Sequence, residues 1–91
     1  MNVESAVNEV FARLSRGELT PPADLLEDGW EATLPSGDVV VRSRLQAEAA
    51  PLIALGRAAV PYIERWTTDV NRALRYVATY AIEKIEASAG D

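Results

Sequence analysis

A long amphipathic helix is encoded near the carboxyl end of the chain, at residues 71–87, which read NRALRYVATYAIEKIEA. Its apolar side chains recur at i, i+3, i+4, i+7, i+8 and i+11, the period of a single helix face; they are Leu74, Val77, Ala78, Ala81, Ile82 and Ile85. Asn71 or Asp69 is placed to cap the first turn, because a short side-chain oxygen accepts a hydrogen bond from the free amides there. This is the strongest periodic signal in the sequence.

Three further helices are predicted toward the amino end. One spans about residues 58–66, with Pro61 in its first turn, where a missing amide matters least. Another spans residues 43–55, where Ser43 and Gln46 match a capping box and Pro51 predicts a kink or break. The third, at the amino end of the chain, spans residues 3–16, with Asn2 as its cap and Gly17 just past its end. A short helical turn is also expected around residues 20–27.

A different pattern occupies residues 30–42. Apolar and polar residues alternate from Trp30 to Leu34, turn-forming residues follow at 35–38, and a β-branched run follows at 39–41. This order predicts a β-hairpin. Two strands alone are only marginally stable in water, so the hairpin must pack on the helices or add to another sheet.

Composition limits the class of protein. A chain of 91 residues predicts one domain, with an acidic part at 1–42 and a helical part at 43–87. The net charge of −5 is uneven: residues 1–40 carry −6 and residues 41–91 carry +1. The absence of cysteine and histidine excludes disulfides, thiolate zinc sites and histidine-based catalytic triads.

The carboxyl-terminal half resembles a single HEAT-like helical repeat over about residues 50–86. The segment LGRAAVPYI at residues 55–63 is similar to the opening of the first helix of such a repeat, and residues 74–85 are similar to the second. Arg75 and Pro61 stand at the positions of the repeat's arginine and proline, whereas Asn71 stands where an aspartate is usual. The resemblance implies an antiparallel helix pair and a role in protein interaction. Together with the other elements it predicts a mainly α fold of four or five helices and one β-hairpin.

Two sets of residues are candidates for partner contact. Acidic residues are densest in one short segment, which could face a basic partner or simply be solvated. Arginines and tyrosines share one face of the last helix and belong to the residue types enriched at interface hot spots. The tyrosines could instead pack on the hairpin or the first helix, and Trp30 could be either a core residue or an exposed anchor. The candidates are Glu27, Asp28, Trp30, Glu31, Arg72, Arg75, Tyr76 and Tyr80.

No catalytic motif is present, so we predict a non-enzymatic protein-binding module with no cofactor and no metal. A small acidic inhibitor is the favoured form, of the immunity or phage anti-defence (anti-CRISPR) type, which occludes a basic surface of its target. Alternatives are a nucleic-acid binder using the arginine-bearing helix, which the acidic charge disfavours, and a homo-oligomeric (for example dimeric) structural protein. The sequence shows no signal peptide and no membrane-spanning run, so we expect a cytoplasmic protein without membrane contact.

Overall fold

Helices make up most of the chain, as the residue periodicity predicts. The computed structural model describes residues 2–19 and 29–89. Its elements are α1 (Val3–Ser15), β1 (Glu31–Thr33), β2 (Val39–Val41), α2 (Arg42–Glu48), α3 (Ala50–Leu55), a 3-10 turn (Arg57–Ala59), α4 (Val60–Glu64) and α5 (Arg72–Ala89). A mainly α fold with one two-stranded antiparallel hairpin is therefore confirmed. The short helical turn predicted at residues 20–27 lies outside the described residues.

Helix α5 packs against most of the other elements, including β1, α2, α3 and α4. The Asn71 side-chain oxygen accepts from the backbone amides of Ala73 and Leu74, at 3.0 and 3.2 Å, which confirms Asn71 as the cap. Five of the six residues of the predicted apolar stripe are buried, and Ile82 is half-buried. They belong to one hydrophobic cluster that also includes residues of α1, the hairpin and α2–α4. The long helix thus serves as the surface on which the core is assembled.

Helix α1 is capped at both ends as the sequence predicts. The Asn2 side-chain oxygen accepts from the backbone amide of Ser5 at 2.8 Å. At the other end Gly17 has a φ of 74°, and the Glu18 amide donates to the Arg13 carbonyl at 2.9 Å. This is the pattern of a Schellman motif, in which a left-handed residue satisfies the last carbonyls. A Cβ at Gly17 would lie within 2.8 Å of the Ser36 hydroxyl, so this glycine also lets the end of α1 approach the hairpin turn closely.

The capping box predicted at Ser43 is wrong. Strand β2 runs directly into α2, whose cap is the extended Val41, with no side-chain cap hydrogen bond. Ser43 therefore lies inside the first helical turn. The break predicted near Pro51 is confirmed two residues earlier, at Ala49, where α2 ends and α3 begins. Pro51 then occupies the first turn of α3, where its missing amide breaks no helical hydrogen bond.

The hairpin pairs Glu31 with Val41, Ala32 with Val40 and Thr33 with Val39. Ala32 and Val40 face the core and are buried, while the flanking residues of β1 are exposed. The Gly37 amide closes the turn by donating to the Leu34 carbonyl at 2.8 Å. The hairpin packs on α5 and α2. These contacts supply the packing that a two-stranded hairpin needs to be stable in water.

Candidate interaction surface

Three aromatic rings form a continuous row where the hairpin meets α5. The centroids of Trp30 and Tyr76 are 4.9 Å apart with the rings tilted by 44°. Those of Tyr76 and Tyr80 are 6.0 Å apart with the rings nearly parallel. All three residues are half-buried. We call Trp30, Tyr76 and Tyr80 the aromatic row; each ring is held by its neighbour and can present only part of its surface to solvent.

Cationic side chains cover both ends of the aromatic row. The Arg72 guanidinium carbon lies 4.6 Å from the Trp30 ring centroid, and that of Arg42 lies 5.4 Å from it. At the other end, the Lys84 ammonium lies 5.5 Å from the Tyr80 centroid. Distances below about 6 Å are those of cation–π attraction, which contributes about 0.5–1 kcal/mol at exposed sites.

Helical spacing explains most of this arrangement. Residues 72, 76, 80 and 84 are each four apart, so they lie along one face of α5, one turn above another. The sequence predicted this shared face, and the structure places it beside the buried stripe, where the tyrosines reach into the partly buried zone. Of the two roles weighed for the tyrosines, packing on the hairpin is therefore realised for Tyr76 through its contact with Trp30.

Side chains from the start of α5 bind the outer edge of β1. The Asn71 amide nitrogen donates to the Thr33 carbonyl at 2.9 Å, and an Arg72 Nη donates to the Glu31 carbonyl at 3.3 Å. These carbonyls point away from β2. The Leu34 amide donates to the Asp38 carbonyl, and hydrogen-bonded positions alternate along an antiparallel ladder, so Ala32 pairs with β2 while Glu31 and Thr33 face outward. Arg72 thus joins the hairpin to the helix twice, through the Trp30 ring and through the strand backbone.

Tyr76 is also tied to α2. The Gln46 side-chain nitrogen donates to the Tyr76 hydroxyl at 3.0 Å, in a partly buried position. The Tyr76 side chain therefore has contacts with Trp30 just before β1, with Gln46 of α2 and with Tyr80 in the next turn of α5, and its orientation is fixed from three directions. A fixed aromatic side chain loses little conformational entropy when a partner binds.

A shallow open groove of about 310 Å³ lies along this face. Its lining consists of Trp30, Arg72, Arg75, Tyr76 and Thr79. An Arg75 Nη donates to the backbone carbonyl of Asp69 at 3.2 Å. Within residues 2–19 and 29–89, neither Arg72 nor Arg75 forms an ion pair with a carboxylate. The groove therefore carries two exposed positive charges beside two half-buried rings.

The acidic candidates are only partly placed. Glu31 is exposed on β1 next to Trp30, whereas Glu27 and Asp28 lie outside the described residues. Farther along the amino-terminal half, the guanidinium of Arg16 hydrogen-bonds the Glu18 carboxylate and lowers its pKa below the ordinary value for glutamate. The described part of the chain thus brings six of the eight candidates to one region, around the aromatic row.

Sequence reasoning missed three residues of this region. Arg42 and Gln46 come from α2; Arg42 lies twelve positions after its partner Trp30 and Gln46 lies thirty positions before its partner Tyr76, and no local pattern links such distant positions. Thr79 is an exposed helix residue with no signal of its own. The one available signal is the i+3 spacing from Tyr76, which puts Thr79 on the edge of the same face.

Within the described ranges, no group of three or more acidic residues could hold a metal ion. Nor does any helix described there have the length and apolar character needed to cross a membrane. Comparisons with protein-family models, curated proteins and solved structures found no match. The resemblance to a HEAT-like repeat accordingly rests on the residue pattern of positions 50–86 alone.

Proposed function

We propose that this protein is a non-enzymatic binding module that contacts a partner protein through the face formed by Trp30, Arg72, Arg75, Tyr76 and Tyr80. We call these five residues the contact face. A small domain whose bound face covers a functional surface of its target acts as an inhibitor by occlusion, and this is the mode that we propose.

The observation that carries the proposal is the aromatic row with its cations. Tryptophan, tyrosine and arginine are the residue types most enriched at binding hot spots. Five residues of these types lie next to one another on the contact face. Their positions are fixed by ring stacking and by the Gln46 hydrogen bond. A preformed face of this kind avoids part of the entropic cost of association.

A site-specific crosslinking experiment tests the proposal. A photoreactive amino acid replaces Thr79, which is exposed and lines the groove, and a second variant carries it at the exposed Tyr62 of α4 as a matched control. Both variants are irradiated in lysate of the source cells and the adducts are identified by mass spectrometry. We expect one dominant protein adduct at position 79 that position 62 does not give.

The contact-face variant Arg75→Gln with Tyr80→Ala should reduce that adduct at least about fivefold, since hot-spot truncations cost more than about 1 kcal/mol. The exposed pair Arg57→Gln with Tyr62→Ala makes the same changes of residue type elsewhere and should leave it unchanged. Equal adducts at positions 79 and 62, or no loss in the contact-face variant, would contradict the proposed function.

A further inference from the structure

The groove on the contact face has the chemistry of a carboxylate receptor. We propose that its occupant is an acidic segment of the partner protein, whose Asp or Glu carboxylates pair with Arg72 and Arg75. This inference rests on the proposed function and specifies the partner's chemistry. The negative charge of such a segment is opposite to that of the basic target surface that the net charge of −5 predicts.

The protein orients both guanidinium groups, but the described residues accept hydrogen bonds from only some of their N–H donors. Arg72 lies over the Trp30 ring and uses one Nη to bind the Glu31 carbonyl. Arg75 uses one Nη to bind the Asp69 carbonyl. A guanidinium has five N–H donors in a planar fork that matches a carboxylate. Because one Nη of each arginine is tethered and both residues line the groove, the remaining donors beside it have reduced freedom, which favours bidentate binding.

The local field also favours a negative ligand. Arg72 and Arg75 lie in the first turns of α5, an 18-residue helix whose first turn contains no acidic residue. The positive end of the helix dipole therefore adds to the two guanidinium charges. The carboxylate of nearby Asp69 accepts the Asn71 backbone amide at 2.9 Å and, within the described residues, forms no ion pair with either arginine.

Nucleic acid fits this face less well than an acidic peptide. Binding of a single strand relies on bases that stack on open aromatic faces. The Trp30 ring is contacted by Arg42, Arg72 and Tyr76, and Tyr76 lies between two rings. The rings are thus engaged within the protein, while the arginine edges remain available for carboxylates. The overall negative charge opposes binding of a polyanion as long as a nucleic-acid strand.

The test is a titration of the isotope-labelled full chain at low salt, followed by two-dimensional NMR. The probes are a hexaglutamate peptide, a hexalysine peptide, a hexaglutamine peptide and hexathymidylate. We expect hexaglutamate alone to shift the Trp30 indole, the Thr79 amide and the Arg72 and Arg75 Nε–H signals. Arg72→Gln and Arg75→Gln should each weaken binding about three- to tenfold, as expected for charge-assisted hydrogen bonds at an exposed site. The control Arg57→Gln makes the same charge change and should leave the affinity unchanged.

Four results would overturn the inference. Stronger binding of hexathymidylate would identify a nucleic-acid groove, and stronger binding of hexalysine would restore the basic-partner prediction. Shifts at the groove that depend on protein concentration, without any peptide, would identify a second copy as the occupant. Failure of hexaglutamate to bind, while the position-79 crosslink persists, would overturn the acidic-segment inference and leave the proposed function standing.

Discussion

Replacing Arg72 with glutamine should loosen the junction between the hairpin and α5. The change removes a guanidinium 4.6 Å from the Trp30 centroid and a 3.3 Å hydrogen bond to the Glu31 carbonyl. At an exposed site the ring contact contributes about 0.5–1 kcal/mol. The long, solvent-facing hydrogen bond adds about 0.5 kcal/mol, at the low end of the usual range. We therefore expect Arg72→Gln to lower the free energy of unfolding by about 1–1.5 kcal/mol.

A double-mutant cycle separates the ring contact from the other losses. Wild type, Arg72→Gln, Trp30→Leu and the double variant are unfolded in urea and followed by far-ultraviolet circular dichroism. The hydrogen bond to the Glu31 carbonyl is lost in both arginine variants and cancels in the cycle. The coupling free energy between Arg72 and Trp30 should then be about 0.5–1 kcal/mol.

Arg75 supplies the matched control for this cycle. It lies one turn along α5, makes the same change of charge when replaced by glutamine, and binds the Asp69 carbonyl rather than covering the Trp30 ring. Its coupling to Trp30 should be below about 0.3 kcal/mol. A coupling for Arg72 as small as that for Arg75 would refute the claim that a cation–π contact holds the hairpin on the helix.

Three further changes test other parts of the structure. Phe11→Ala should lower the free energy of unfolding by about 3–5 kcal/mol in urea, because Phe11 is fully buried; Phe11→Leu should cost clearly less, and equal losses would contradict the packing argument. Gly17→Ala should lower the melting temperature more than Gly29→Ala. Both glycines have a positive φ (74° and 81°), but of the two only Gly17 lies against side chains of the hairpin turn. Equal losses would show that the end of α1 does not pack on the hairpin turn. Glu18 should titrate by NMR with a pKa below its ordinary value of about 4.3, because Arg16 hydrogen-bonds the ionised carboxylate. The contribution of this pair to stability is present above the unfolded-state pKa and is lost as the pH falls through the lower folded-state pKa. If the Glu18 pKa were the same in Arg16→Gln as in the wild type, the pairing would be contradicted.

Local patterns were sufficient where one segment determines its own structure. The period of residues 71–87 predicts α5 and its buried stripe, and Asn2 and Asn71 cap helices as their side chains allow. Such features need only neighbours within four residues, which the sequence displays directly. Ser43 is the counterexample: residues 43–46 match the capping-box pattern, but strand pairing keeps Val41 extended, and Val41, two residues before Ser43, is the cap of the helix.

The sequence by itself determined the helical class, the hairpin and the shared face of Arg72, Tyr76 and Tyr80, because each depends on spacing within one element. Only the tertiary structure decided that Trp30 lies on that face, with Arg42 over its ring and Gln46 on the Tyr76 hydroxyl. These contacts join positions twelve to forty-six residues apart, and they form only when the hairpin and α2 pack on α5. The net charge of −5 describes the surface as a whole, whereas packing decides which charged side chains meet in the groove.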